Sequence, residues 1–427
     1  MSTPQRLALG LVVLVLAAGI AFVALAGGPS AVATATPTPT AQPTADATED
    51  PTVSPSPSEE DVLAVLAEIE AQVIAIRGLE SAGIGPPELL TRDEVRVELE
   101  ELFDEDYSIE ERERDNIALR ALGLLEPGQD IAELQLQLLG DQVLGFYHDV
   151  DKRMVVVTET GLDAEAKLTY AHEYTHALQD AAFGIDSLET DAEGEDDRGL
   201  ARIALKEGDA TVAMLAWAFR HLTPEELMEL SQAPVPDTGD APYWMVAALL
   251  FPYEAGLTWA GTLVQDPTDP DFSAIDAAWA DPPDTTKQIL DITAWRQREE
   301  PVAVDVPDLA AAMGSDWEEV ETNSMGQAFT GMMLEHFGLD RAEARAATDG
   351  WTGDRSVIAS GPNDAFAVVW LSEWETDADA DEFLAAYDSI IPSIGFPAVV
   401  QELEGRILVA HGSDVDVLRR AVAAAGG

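Results

Sequence analysis

Residues Ala171 to Leu178 read Ala-His-Glu-Tyr-Thr-His-Ala-Leu, two histidines four positions apart with a glutamate after the first. On an α-helix, positions four apart stand one above the other, so His172 and His176 can reach one metal ion. Glu173 then projects about 100° round the helix, beside the ion's open position. The spacing asks for a helix and for a second element that brings a third ligand to it. The chain has no cysteine, so that ligand must be His, Asp or Glu. Thiolate sites, disulfides and cysteine nucleophiles are excluded for the same reason.

Hydrophobic periodicity runs this helix from a cap at Asp163 to about Ala182. Leu168, His172, His176 and Gln179 share one face, and Ala171, Tyr174, Leu178 and Ala181 form an apolar stripe beside it. The histidines therefore sit where buried surface meets open surface. The loop from Asp186 to Asp197 offers seven carboxylates, but it is aperiodic and contains glycine, so it reads as solvated. Glu207 differs. A helix is expected from about Arg198 to Trp217, and Leu200, Ile203, Ala204, Ala210, Thr211 and Met214 surround Glu207 on its face. A carboxylate in such a stripe is costly to bury unless it is paired or binds a metal, and Lys206 and Arg202 are the nearby alternatives to a metal. Gly208 beside it would admit a neighbouring helix or a substrate at close range.

His172-Glu173-x-x-His176 followed by Glu207-Gly208-Asp209-Ala210 resembles the gluzincin class of zinc metallopeptidases, whose third ligand is a Glu on a later helix. Gly145-Phe146-Tyr147, His172 to Asp180, Glu207 to Thr211, Phe251-Pro252-Tyr253 and Pro282 to Leu290 are similar to strings in bacterial extracytoplasmic proteins predicted to be metallopeptidases. The resemblance covers roughly Glu59 to Leu290. It implies a helix-rich, zincin-like α+β fold with a small β-sheet, Zn2+ on His172, His176 and Glu207, and a peptide or protein substrate. Zinc would lower the pKa of a water, and Glu173 would serve as general base and then general acid. Tyr253 and His221 are candidate donors to a developing oxyanion. The better-known gluzincins carry an Asp four residues after the ligand Glu; Thr211 stands there, leaving Asp209 or Asp180 to orient a histidine.

The flanking sequence gives the site its setting. Leu7 to Ala26 is an uncharged apolar run of twenty residues, about 30 Å as a helix, preceded by Arg6. It reads as a membrane anchor with the remainder outside the cytoplasm, or as a signal segment cleaved on secretion. The Thr/Pro/Ala-rich residues 29–58 read as a disordered stalk. Residues 59–345 are expected to form the metallopeptidase domain and 346–427 a small α+β unit in which strands alternate with helices.

Val143 to Tyr147 and Arg153 to Val157 predict a hairpin, one strand of which could present its edge to an extended peptide. His148 in its loop is a weaker ligand candidate. Tyr243 to Val264 is apolar but broken by Pro252, Glu254 and Gly256, and reads as buried helices instead of a second membrane span. With 80 acidic against 23 basic residues the net charge is −57, which excludes nucleic acid as a partner and suits a solvated surface or calcium. Nothing here sets an oligomeric state. A non-catalytic envelope scaffold and a zinc hydrolase of non-peptide amides are the rival readings; an intact Glu173 counts against the scaffold.

Overall fold

A computed structural model describes residues 58–139, 143–158, 161–188, 194–233 and 238–426. The expected anchor and the stalk up to residue 57 lie outside them. Helix α1 (Glu59–Arg77) starts where its sequence says it should: the Ser58 hydroxyl accepts from Asp61 N and the Asp61 carboxylate accepts from Ser58 N. This reciprocal cap satisfies amides that have no partner inside the helix. After β1 (Glu88–Leu90), the same device opens α2 (Arg92–Asp106) at Thr91 and α3 (Ile109–Leu122) at Ser108. Helix α4 (Ile131–Leu139) follows.

Strands β2 (Gly145–His148) and β3 (Arg153–Val157) pair antiparallel, with Phe146 opposite Val155 and Tyr147 opposite Met154. β1 lies parallel to β3 on its other side, so the order is β1-β3-β2 and β2 is an outer strand. Alternation sorts the two faces. Phe146, Val155 and Val157 pack on Val95 and Leu99 of α2, while Tyr147, Met154 and Val156 face the main core.

Four helices then build the centre of the molecule: α5 (Ala164–Phe183), α6 (Asp196–His221), α7 (Pro224–Ser231) and α8 (Tyr243–Val264). Asp163 caps α5 by accepting from Ala166 N at 2.9 Å. α8 runs unbroken through Pro252, where separate helices were expected. Burial of Trp244, Leu249, Phe251, Tyr253, Trp259 and Leu263 on this one helix outweighs the roughly 3 kcal/mol that an interior proline costs. Among the described residues no helix is long and apolar enough to cross a membrane.

Short helices α9 (Ser273–Ala280), α10 (Thr286–Leu290), α11 (Ile292–Gln297) and α12 (Leu309–Met313) lead to β4 (Glu318–Asn323). Helices α13 (Gly326–His336) and α14 (Arg341–Thr348) precede β5 (Trp351–Gly361) and β6 (Ala365–Trp374). The chain ends with α15 (Asp377–Ile394), β7 (Ala398–Leu403), β8 (Arg406–Gly412) and α16 (Val415–Ala424).

The second sheet is antiparallel, ordered β4-β5-β6-β8-β7. Its edge strand β4 lies upstream of residue 346, so the sheet begins earlier than the sequence suggested. Its faces alternate residue by residue. Ile358, Val368, Trp370, Ile407 and Val409 join the main core, whereas Val357, Ala367, Val369, Leu408 and Ala410 pack under α12 and α16. The fold is α+β, with the helical body and this sheet sharing one apolar core.

Helices α6 and α8 meet backbone to backbone. A Cβ on Gly208 would lie 2.3 Å from the Gly256 carbonyl oxygen, and one on Gly256 would lie 2.2 Å from that of Ala204. Backbone cannot yield cheaply, so Gly256→Ala is expected to cost about 3 kcal/mol in urea unfolding. Gly261→Ala on the same helix, with nothing within 4 Å, is expected to gain about 0.5–1 kcal/mol. Equal effects of the two substitutions would contradict this packing account.

Candidate metal centre

Helix α5 sets the His172 and His176 rings edge to face, 4.6 Å between centroids, with their Nε2 atoms 2.9 Å apart. Helix α6 brings Glu207 Oε2 to 3.0 Å from His172 Nε2 and 3.2 Å from His176 Nε2. The three side chains are 0–5% exposed. Three lone-pair atoms thus converge at nearly the spacing that ligand atoms adopt round a tetrahedral zinc, about 3.3–3.4 Å. His172, Glu173 and His176 also offer ligand atoms within 4.8 Å of one another. The group could hold a metal ion, and the nitrogen and carboxylate donors suit zinc.

Glu173 has two different oxygens. Oε2 accepts from Tyr147 N at 2.9 Å, while Oε1 is buried without a hydrogen-bond partner among the described residues. Burial pushes the Glu173 carboxyl up to about 8, with Glu207 adding to the rise and His176 opposing it. For Glu207, burial works upward but is outweighed by His176, Lys206 and hydrogen bonds from both histidines, which hold it well below the usual carboxylate range. Burial pushes His172 down to about 4, and for His176 it is overcome by Glu207, leaving that ring above its ordinary value.

Lys206 Nζ lies 3.2 Å from Glu207 Oε1, so the carboxylate pairs with lysine through one oxygen and faces the histidines through the other. Arg202, the other expected alternative, reaches Asp284 instead. Gly208 meets a helix, α8, as its small size allowed.

The support behind His176 fixes its ring. His176 Nδ1 donates to Gln179 Oε1 at 2.8 Å, so Nε2 is the nitrogen that faces Glu207 and His172 and that would offer its lone pair to a metal once deprotonated. Gln179 Nε2 donates to Lys206 O at 3.0 Å and to Asp209 Oδ2 at 2.9 Å, which fixes the amide's orientation. Asp209 is in turn held by Arg77, Nε to Oδ1 at 2.8 Å and Nη2 to Oδ2 at 3.0 Å, and by Trp279 Nε1 at 3.0 Å. Asp209 therefore acts on the histidine through one intervening amide. Asp180, the other candidate, accepts from Tyr147 Oη and pairs with Lys152. His172 Nδ1 and Thr211 Oγ1 are buried without partners among the described residues.

Tyr253 belongs to the centre: its ring lies 6.1 Å from that of His172, and its phenol feels the charge of Glu207. Burial, with Glu207 and Glu173 nearby, holds the phenol well above its ordinary pKa. His221 does not belong. It stacks on Trp217 at the far end of α6, about 21 Å along the helix from Glu207. His148 accepts from Asp151 N and stays in its hairpin, and His336 packs on Phe337.

Two participants escaped the sequence reading, Arg77 and the amide of Tyr147. Arg77 stands four residues beyond Val73 on the buried stripe of α1, the basic counterpart of the signal that exposed Glu207. No sequence signal marks the Tyr147 amide. The pocket of about 500 Å3, part of it open to solvent, lies away from this centre, between α3, the start of α6, β4 and α13.

The family described as a domain of unknown function (DUF8575) matches residues 315–420, which run from β4 into α16 and contain none of the metal-centre residues. No curated protein and no solved structure matches the chain.

Removing Gln179 should free the His176 ring. Gln179→Ala is expected to weaken zinc binding about 10- to 100-fold, read by competition with a chromophoric chelator. Thr211→Ala is expected to leave the affinity within about twofold, because its hydroxyl has no partner to lose.

Proposed function

We propose that the chain is a zinc-dependent metallopeptidase of gluzincin type that acts outside the cytoplasm. The observation that carries this reading is the meeting of His172, His176 and Glu207 at one point, with the uncommitted Oε1 of Glu173 beside it. His172 and His176 would hold the ion through Nε2, and Glu207 through Oε2. A zinc ion held there supplies Lewis acidity toward a water and a carbonyl oxygen. Glu173 Oε1, in its deprotonated form, would take the proton from the attacking water and return it to the leaving amine. Tyr147 N, by holding Oε2, keeps the other oxygen turned to the reaction. The Tyr253 hydroxyl is the donor nearest to the ligands and the better of the two oxyanion candidates. β2 is the outer strand of its sheet and carries the Tyr147 amide that meets Glu173, so an extended peptide added along it would pass the catalytic glutamate.

The near-complete burial of the ligands favours a second reading, a closed structural ion in a non-catalytic envelope protein. One experiment separates the two. Full-length protein purified in zinc is expected to hold one ion per chain by mass spectrometry, and His172→Ala and Glu207→Ala to lose it. Glu173→Gln is expected to keep the zinc while hydrolysis of a peptide library falls about a thousandfold. A wild type without stoichiometric zinc sinks both readings. A zinc-loaded wild type with no hydrolysis, or a Glu173→Gln variant as active as wild type, removes the peptidase assignment.

A further inference from the structure

The pocket remote from the metal centre is lined by carboxylates that the acidic loop was expected to leave in solvent. Asp196 and Asp197 form the first turn of α6 and are each 4% exposed. Asp196 Oδ2 accepts from Asn323 Nδ2 at 2.6 Å, and the same amide donates to Glu321 Oε1 at 2.9 Å. Asn323 Oδ1 accepts from Ser324 N at 2.8 Å and Asp196 N at 3.3 Å, so the amide cannot be turned round to better effect. One neutral NH2 group therefore bridges two carboxylates, and Asp196 Oδ1 remains buried without a partner among the described residues. Asp196, Glu321 and Asn323 line the pocket with Asp197, Ser324 and Trp244.

The charge there is only partly compensated. Among the described residues no lysine or arginine forms an ion pair with Asp196 or Glu321. Of the arginines near Glu321, Arg355 donates to Gly194 O at 2.7 Å and Arg114 sits 3.6 Å from Asp115. Asp115 adds its own negative charge to both carboxylates. The positive end of α6 offers about half a unit charge. Burial holds the Asp196 carboxyl well above its usual range, and burial together with Asp115 pushes Glu321 up to about 7. Carboxylates in this position need either protons or a cation. The donors are all oxygen, with no imidazole or thiolate, which selects a hard cation of flexible coordination completed by water.

We propose that Asp196 and Glu321 are the anionic ligands of a calcium ion in this pocket, which ties β4 and its sheet to the start of the helix that carries Glu207. Asp196 Oδ1 supplies the buried ligand and Glu321 the ligand at the pocket's open side. Calcium replaces the protons these groups otherwise retain, and water fills the remaining positions.

The test uses full-length, zinc-loaded, calcium-free protein. Thermal melting is followed with and without about 1 mM calcium, and again with magnesium. Terbium is added as a luminescent calcium probe that Trp244 in the pocket wall can sensitise. Wild type is expected to melt several degrees higher with calcium than with magnesium and to show one saturable terbium phase. Asp196→Asn and Glu321→Gln are expected to lose both responses. In calcium-free buffer they should melt at or above wild type, because buried repulsion has been removed. Glu321, on an edge strand and only partly buried, keeps the test open if Asp196→Asn fails to fold. Equal shifts with magnesium, or a calcium shift that survives in Glu321→Gln, overturn the site. A wild type that calcium leaves unchanged, but that gains stability as pH falls, assigns the pair to shared protons and overturns it as well.

Discussion

The negative charge of Glu207, set in the apolar middle of α6, is the constraint to which the helical body answers. An uncompensated carboxylate in such an interior costs several kcal/mol. Lys206 meets one of its oxygens and the two histidines of α5 meet the other. Asp209, two positions on, poses the same problem and is met by Arg77 from the end of α1, with Gln179 and Trp279 closing its remaining sites. The Arg77 guanidinium also lies 4.5 Å over the Phe272 ring and pairs with Asp276. Thus the placing of α1, α5 and the α9 segment round α6 is decided by polar partners as much as by apolar area. Hydrophobic burial alone has no direction and would leave the register of these helices loose.

Gly208 turns that electrostatic demand into a site. Because it has no side chain, α8 can lie backbone to backbone on α6. Gly256 and Tyr253 are three apart on α8 and share a face. Seating Gly256 against Ala204 and Gly208 therefore also seats the Tyr253 ring beside His172 and the charge of Glu207. A close helix crossing and the placing of Tyr253 beside the His172 ring are consequences of one sequence choice.

What the sequence disclosed follows the range of the interactions involved. Helix starts were legible because caps are local: Ser58 and Asp163 lie within three residues of the amides they satisfy. The meeting of His172, His176 and Glu207 was legible because two histidines one turn apart and a carboxylate in an apolar stripe each stand out on their own helix. β4, with the sequence Glu-Glu-Val-Glu-Thr-Asn, has no apolar alternation; it is a strand because β5 offers it a partner. The three residues of β1 likewise owe their state to β3. Gln179 could be placed on the histidine face, but its role depends on Asp209 and Lys206, which only the packing of α5 on α6 brings to it. The acidic loop misled for a related reason. Composition marks 186–197 as solvated, yet its last two residues are drawn under β4 and α10 by Asn323 and Thr286.

These two residues show how a chain of net charge −57 manages its interior. Asp197 accepts from Thr286 N at 3.1 Å and also from the Thr286 hydroxyl, yet burial and nearby Asp354 still push it up to about 7. Asp354 is better served: it takes the amides of Met325 and Gly326 at the start of α13 and the indoles of Trp351 and Trp370. Its charge joins a helix start to two strands of the sheet. From Asp196 to Glu207 is eleven residues of continuous helix, about 16 Å. One rigid element thus begins against the sheet, among carboxylates short of positive charge, and carries at its middle the carboxylate that meets two imidazoles. Any cation or proton that settles the first set stabilises the helix on which the second depends. The C-terminal sheet is therefore joined energetically to the candidate metal centre although it contributes no side chain to it.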